Sequence, residues 1–186
     1  MFPNYLTHYF TDVPFRSIMD LAPGDRVQAV LRMRKERTVR RRLMIPKHYI
    51  NRQRCESTMY QQFIDKGGKP TRPHPHYLIL GESDLWVEQE SQSLRIPLSD
   101  IPTDVISFTY TDSWYAYIDQ DLNGNPVPRK PQYEMLYRLE ELDDLFEKYG
   151  WPGDRWREDP EYKFDYYVEA QVWSDEPLHQ RMKDEG

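Results

Sequence analysis

The residue types best placed for chemistry are a guanidinium and a carboxylate one helical turn apart, Arg52 and Glu56. They stand inside Lys47–Lys66, which at about 100° per residue gathers Tyr49, Tyr60, Phe63 and Ile64 on one face, with Met59 at its edge. Glu56 falls within that apolar arc. Arg52 and Glu56 form either a ligand site or an internal ion pair. In the first, Arg52 grips an anion, or Glu56 acts as an acid or base tuned by burial. In the second, the pair ties the helix to a sheet. Buried pairs are expensive unless fully hydrogen-bonded, so their placement is not random. A one-residue error in phase would move both toward solvent.

Glu169 is the second candidate. Strand alternation over Phe164–Trp173 puts Asp165, Tyr167, Glu169, Gln171 and Trp173 on one face, and Phe164, Tyr166, Val168, Ala170 and Val172 on the other. A face bearing Tyr167, Gln171 and Trp173 can stack on a planar ligand while Glu169 holds a hydroxyl. The pattern alone favours a half-exposed strand with a solvated Glu169. Other constellations are weaker. Asp119-Gln-Asp121-Leu-Asn123-Gly124 copies the first half of a calcium loop, but Lys130 stands where a bidentate Glu belongs, and a hairpin turn is the better reading. His74-Pro-His76 has no third ligand nearby in sequence, although His8 and His48 could join in space, so no metal is assigned. Cys55 lies mid-helix without a partner motif. The G-x-S-x-G elbow, the phosphate-cradling P-loop and G-x-G-x-x-G are absent.

The elements that must position these residues divide the chain. Tyr5–Thr11 reads as a strand, Asp12–Leu21 as a short helix capped by Asp12, and Asp25–Arg37 as a basic helix. Arg40–Pro46 is a charged connection, and Gly67-Gly68 ends the Lys47–Lys66 helix. Beyond Pro70, Pro73 and Pro75 the pattern turns extended. Strands are expected at His76–Leu80, Ser93–Pro97, Val105–Tyr110, Trp114–Ile118, Glu134–Leu139 and Phe164–Trp173, with a helix over Glu140–Tyr149 stopped by Gly150. This predicts one α+β domain over 1–186, with helices packed on a mixed or mainly antiparallel sheet of five to seven strands.

Composition bounds the function. The 186 residues carry a net charge of −6, with 14% aromatics, 15 prolines, eight glycines and one cysteine. No apolar run approaches the ~20 residues of a membrane-spanning helix, and Met1–Phe10 lacks the make-up of a secretory signal. A single thiol fits a reducing compartment, so a soluble cytoplasmic protein is expected. The charge is segregated: residues 26–72 hold 14 basic and three acidic side chains (+11), while 73–186 hold ten basic and 25 acidic (−15). The basic segment 26–72 is therefore a candidate surface for nucleic acid, protein or an anionic small molecule, unless it closes on the acidic part of the same chain.

Arg52 with Glu56, Phe63–Pro70, Pro75–Ser83, Ile106–Ser113, Tyr137–Gly150 and Val168–Pro177 resemble an uncharacterised family of small bacterial proteins. That likeness carries no activity. Tyr5–Ile18, His76-Tyr77-Leu78 and Val168-Glu169-Ala170 also resemble, in order, short motifs of ADP-ribosyltransferase-like domains. The resemblance implies an NAD cofactor, with His8 on its ribose, Tyr77 stacked on nicotinamide and Glu169 orienting a ribose hydroxyl. The alternative is a non-enzymatic interaction protein that uses its basic and acidic faces. An enzyme site predicts that Arg52, Glu56, Tyr77 and Glu169 converge.

Overall fold

Segments rich in aromatic and β-branched residues pair into one antiparallel sheet. Its strands are β1 (Tyr5–Phe10), β2 (His76–Leu80), β3 (Gln92–Pro97), β4 (Ile106–Thr109) and β5 (Glu169–Val172), in the spatial order β3-β1-β2-β5-β4. The computed structural model describes residues 2–10, 13–36, 46–87, 92–121, 124–153 and 155–178. Around the sheet lie α1 (Pro23–Glu36), α2 (Pro46–Asp65), α3 (Asp84–Val87), α4 (Ser113–Tyr117), α5 (Leu142–Tyr149) and α6 (Arg155–Glu158). The fold is α+β.

Register sorts the sheet into two unlike faces. Leu6 pairs with Leu80, Leu78 with Ala170, and Phe108 with Ala170. These residues, with Ile96, Ile106 and Val172, belong to a core that α5 closes with Leu142 and Leu145. The alternate positions carry Thr7, Tyr77, Ser107, Thr109, Glu169 and Gln171. This polar face is also buried, because α2 and α4 cover it. Cys55, Met59 and Phe63, four residues apart along α2, form a second core with Trp114, Ile118, Leu136 and Trp173. Phe63 stacks on Trp173 at 5.9 Å, and Tyr60 meets the same indole edge-on at 5.6 Å.

The α2 phase holds where it matters, since Glu56 is 1% exposed. The stripe is nevertheless centred on Cys55, Met59 and Phe63, where the two tryptophans leave room, so Ile64 turns outward and is 41% exposed. After the helix, Gly67 takes φ +81 and Gly68 lies against Phe63, where an added Cβ would come within 2.5 Å of the ring. Glycine is required there by close approach.

Four expected elements differ. Asp12–Leu21 holds only a 3-10 turn, Ile18–Asp20, capped by the Ser17 hydroxyl; Asp12 lies outside the described residues. Pro14 disfavours helix at Val13, and Phe15 adopts φ 59, which breaks a right-handed run. Trp114–Ile118 is not a strand but the helix α4, because the Asp112 carboxylate accepts from Trp114 N at 2.8 Å and caps it. Glu134–Leu139 keeps one bridge, Tyr137 to Phe108, since Glu134 has φ 60 and Leu139 begins a 3-10 turn. The Phe164–Trp173 strand shrinks to β5. Asp165 is drawn aside by Tyr133 and by Lys130, whose Nζ lies 2.7 Å from Asp165 Oδ2. The turn before Val127 is present, with Gly124 N donating to Asp121 O at 3.0 Å, though Asn123 lies outside the described residues. So do Arg37, the expected end of the basic helix, and the connection through Arg40, Arg41 and Arg42.

Candidate functional site

On the polar face β2, β5 and β4 align two rows: Tyr77, Gln171 and Ser107, then Ile79, Glu169 and Thr109. Hydrogen-bond direction along this face is fixed by chemistry. The Trp173 indole can only donate, and it does so to Ser107 Oγ at 2.8 Å. Ser107 then donates to Gln171 Oε1 at 3.1 Å, which leaves the Gln171 amide nitrogen to donate to Glu169 Oε1 and to Thr109 Oγ1, both at 3.1 Å. Thr109 passes its own proton to Thr111 O at 2.7 Å. Ser113 N, in the first turn of α4, donates to the same Glu169 oxygen at 3.3 Å.

The covering helix contributes the rest. Arg52 Nε lies 3.4 Å from Glu56 Oε1, and Arg52 Nη1 donates to Ser113 Oγ at 3.1 Å. The guanidinium carbon stands 4.0 Å from the centre of the Tyr77 ring, a cation–π contact. The Tyr77 hydroxyl donates to Glu56 Oε1 at 2.8 Å, and His74 Nδ1 reaches Glu56 Oε2 at 2.6 Å. Ser113 joins the two halves: its hydroxyl meets Arg52, its amide meets Glu169, and its carbonyl accepts the Cys55 thiol at 3.4 Å. Arg52, Glu56, Tyr77 and Glu169 thus converge at one centre. Arg52 and His74 keep some contact with solvent, their side chains being 24% and 18% exposed.

The two carboxylates are held differently. Glu56 is bound by three partners, Arg52, His74 and Tyr77. Burial, and then the negative charge of Asp112, push Glu169 up to about 7, against the pull of Arg52 and its hydrogen bonds. Asp112 is itself fixed, capping α4 and accepting from the Tyr167 hydroxyl at 2.8 Å. A carboxyl that titrates near neutral pH can take up or release a proton under ordinary conditions. Burial keeps the Tyr77 phenol protonated and pushes the Cys55 thiol up to about 12, so neither is a nucleophile.

His8 does not join this centre. It points to the opposite face of the sheet, stacked on Phe15 at 4.4 Å. Its Nδ1 donates to Tyr77 O at 3.0 Å, and its Nε2 accepts from Phe15 N at 2.8 Å, so both nitrogens of a neutral ring are engaged. Burial lowers its pKa to about 4. The Glu169 face is not half-exposed as the alternation alone favours: Glu169 is 5% exposed, and Tyr167, Gln171 and Trp173 are buried beside it. His74 and His76 diverge, the first to Glu56 and the second to Asp175 at 2.7 Å. Among the described residues no three His, Cys, Asp or Glu side chains are grouped to hold a metal ion.

Together the fold and the centre define an α+β protein with a covered polar sheet face and two buried carboxyl groups, Glu56 and Glu169, inside it. No known family, curated protein or solved structure matches the chain. Sequence reasoning missed Asp112 and Ser113, whose Asp-Ser-Trp order carries a helix-cap signal that the alternating aromatics of Trp114–Ile118 obscured. It also missed Ser107 and Thr109, which only register brings beneath Gln171.

Proposed function

We propose that the centre between α2 and the polar sheet face binds a small anionic ligand and performs acid–base chemistry on it. The observation that carries this reading is the convergence of Arg52, Glu56, Tyr77 and Glu169 through Ser113. Arg52 supplies a permanent positive charge facing both carboxylates, and its planar fork suits phosphate or carboxylate oxygens. Tyr77 holds Arg52 over its ring and anchors Glu56 through its hydroxyl, and Glu169 provides the proton acceptor.

NAD is the candidate ligand, on the strength of the resemblance to ADP-ribosyltransferase-like domains. In a transfer of that class the bond between nicotinamide nitrogen and ribose C1 breaks, its electron pair leaving on nicotinamide. The acceptor's nucleophile bonds to C1, and Glu169 takes the acceptor proton. His8 has no role in this version, because its ring is spent on Tyr77 O and Phe15 N.

The test is thermal unfolding with millimolar NAD, since a ligand that binds only the native state raises apparent stability. The wild type should gain stability, Arg52→Lys should lose most of the gain, and Glu169→Gln should keep it while losing turnover. Absence of any NAD-induced shift removes the transferase reading; a shift with pyrophosphate alone would keep only the anion site.

The second reading, an interaction protein, draws on α1, where Val27 and Leu31 are 57% and 52% exposed on a basic helix. It predicts salt-sensitive association that charge reversal at Arg40, Arg41 and Arg42 abolishes; unchanged binding refutes it.

A further inference from the structure

Away from the buried centre, the amino-terminal segment meets α5 in a surface groove of about 580 Å³ lined by Phe2, Pro3, Asp143, Phe146, Glu147 and Trp151. Phe146 is its middle. Phe2 meets that ring edge-on at 5.7 Å and Trp151 does so at 4.8 Å, with interplanar angles of 68° and 67°. In each contact one ring turns its edge to its neighbour, so the three rings do not form one closed stack. Trp151 remains 36% exposed. Asp143 and Glu147 are one turn apart on α5, on the side that carries Phe146, and both are exposed. Among the described residues no basic side chain lines the groove.

These features select one ligand chemistry. A cation is attracted to the faces of tryptophan and phenylalanine, and two carboxylates at the rim complement its charge. An anion would be repelled. A neutral apolar ligand would strip water from Asp143 and Glu147 with nothing in return. A lysine or arginine side chain lays its alkyl stem along the rings while its charged end reaches the carboxylates. The groove's volume exceeds what one such side chain needs, and the exposed Asp143 and Glu147 at its rim complement a positively charged segment. We propose that this groove docks an arginine- or lysine-rich peptide segment of a partner protein.

The test uses a fluorescein-labelled hexa-arginine peptide, followed by anisotropy against the full chain at low and high salt. Binding should weaken at high salt. Trp151→Ala should reduce affinity at least about tenfold, as expected for an aromatic anchor, while Trp151→Phe retains most of it. Asp143→Asn with Glu147→Gln should also weaken binding. Glu140→Gln with Asp144→Asn removes the same charge outside the groove and should change it little. Thermal melts establish that each variant is folded. The proposal is overturned if hexa-arginine fails to bind at millimolar concentration, if the groove variants bind like wild type, or if the two charge-neutralised pairs weaken binding equally.

Discussion

Replacing Glu169 by glutamine tests the buried centre without any ligand. The side chain is 5% exposed, and its carboxyl rises from an ordinary 4.5 to about 7, first through burial and then through the charge of Asp112. In the unfolded chain the group ionises near 4.5; in the folded chain it holds its proton to about 7. Across that window the native state binds more protons, so stability falls as pH rises. At ~1.36 kcal/mol per unit, the loss completed above pH 7 is about 3 kcal/mol. The Glu169→Gln variant presents the same carbonyl oxygen to Ser113 N and the Gln171 amide but cannot ionise. Urea denaturation of both proteins between pH 4.5 and 8.5 therefore has a definite expected form. The variant's advantage should be small at pH 4.5, grow through pH 7 and then level off. A stability difference that stays constant across this range refutes the electrostatic account of the centre, as does one that grows toward acid.

His8 predicts the opposite slope. Its folded pKa near 4 lies below its ordinary 6.5, so acid favours the unfolded chain, and the His8 contribution to stability should fall by about 3 kcal/mol between pH 6.5 and 4. His8→Phe should be less stable at all pH values but lack that acid-side slope; an unchanged slope would remove the assignment. Because the windows of His8 and Glu169 overlap, the two wild-type slopes largely cancel near pH 5–6, and each shows only as a difference from its variant. Cys55 is 1% exposed with its thiol pushed up to about 12, so a disulfide reagent should label it only as fast as the protein unfolds. Rapid stoichiometric labelling in native buffer would contradict the packing of α2.

Much of the candidate centre was legible where side-chain type and helical period coincide. Arg52 and Glu56 on an apolar stripe required burial or a phase error, and the stripe is buried. β2 matches the expected His76–Leu80 in full because an apolar run holding the strand formers Tyr77 and Ile79 follows a proline-rich approach. The α4 segment was misread for a physical reason: Trp-Tyr-Ala-Tyr-Ile alternates like a strand, yet the Asp112 carboxylate accepts the Trp114 amide, caps a helix and decides the local structure. The joining of Ser113 to Glu169 spans 56 residues, and no local period reports such a contact.

Charge separates what sequence determined from what tertiary structure decided. Composition alone set the division into +11 over 26–72 and −15 over 73–186, because it depends only on which residues occur where. Whether those charges face solvent or one another is a matter of distance, and folding sets the distances. Lys66 meets Glu141 at 2.7 Å, Lys69 meets Asp104 at 3.0 Å, and Arg72 pairs with Asp20 and Asp175, so the end of the basic segment closes on the rest of the chain. Period 2 likewise foretold which side chains share a face of β5. Only the packing of α2 and α4 determined that this polar face lies under cover, and burial is what moves the Glu169 proton into the neutral range.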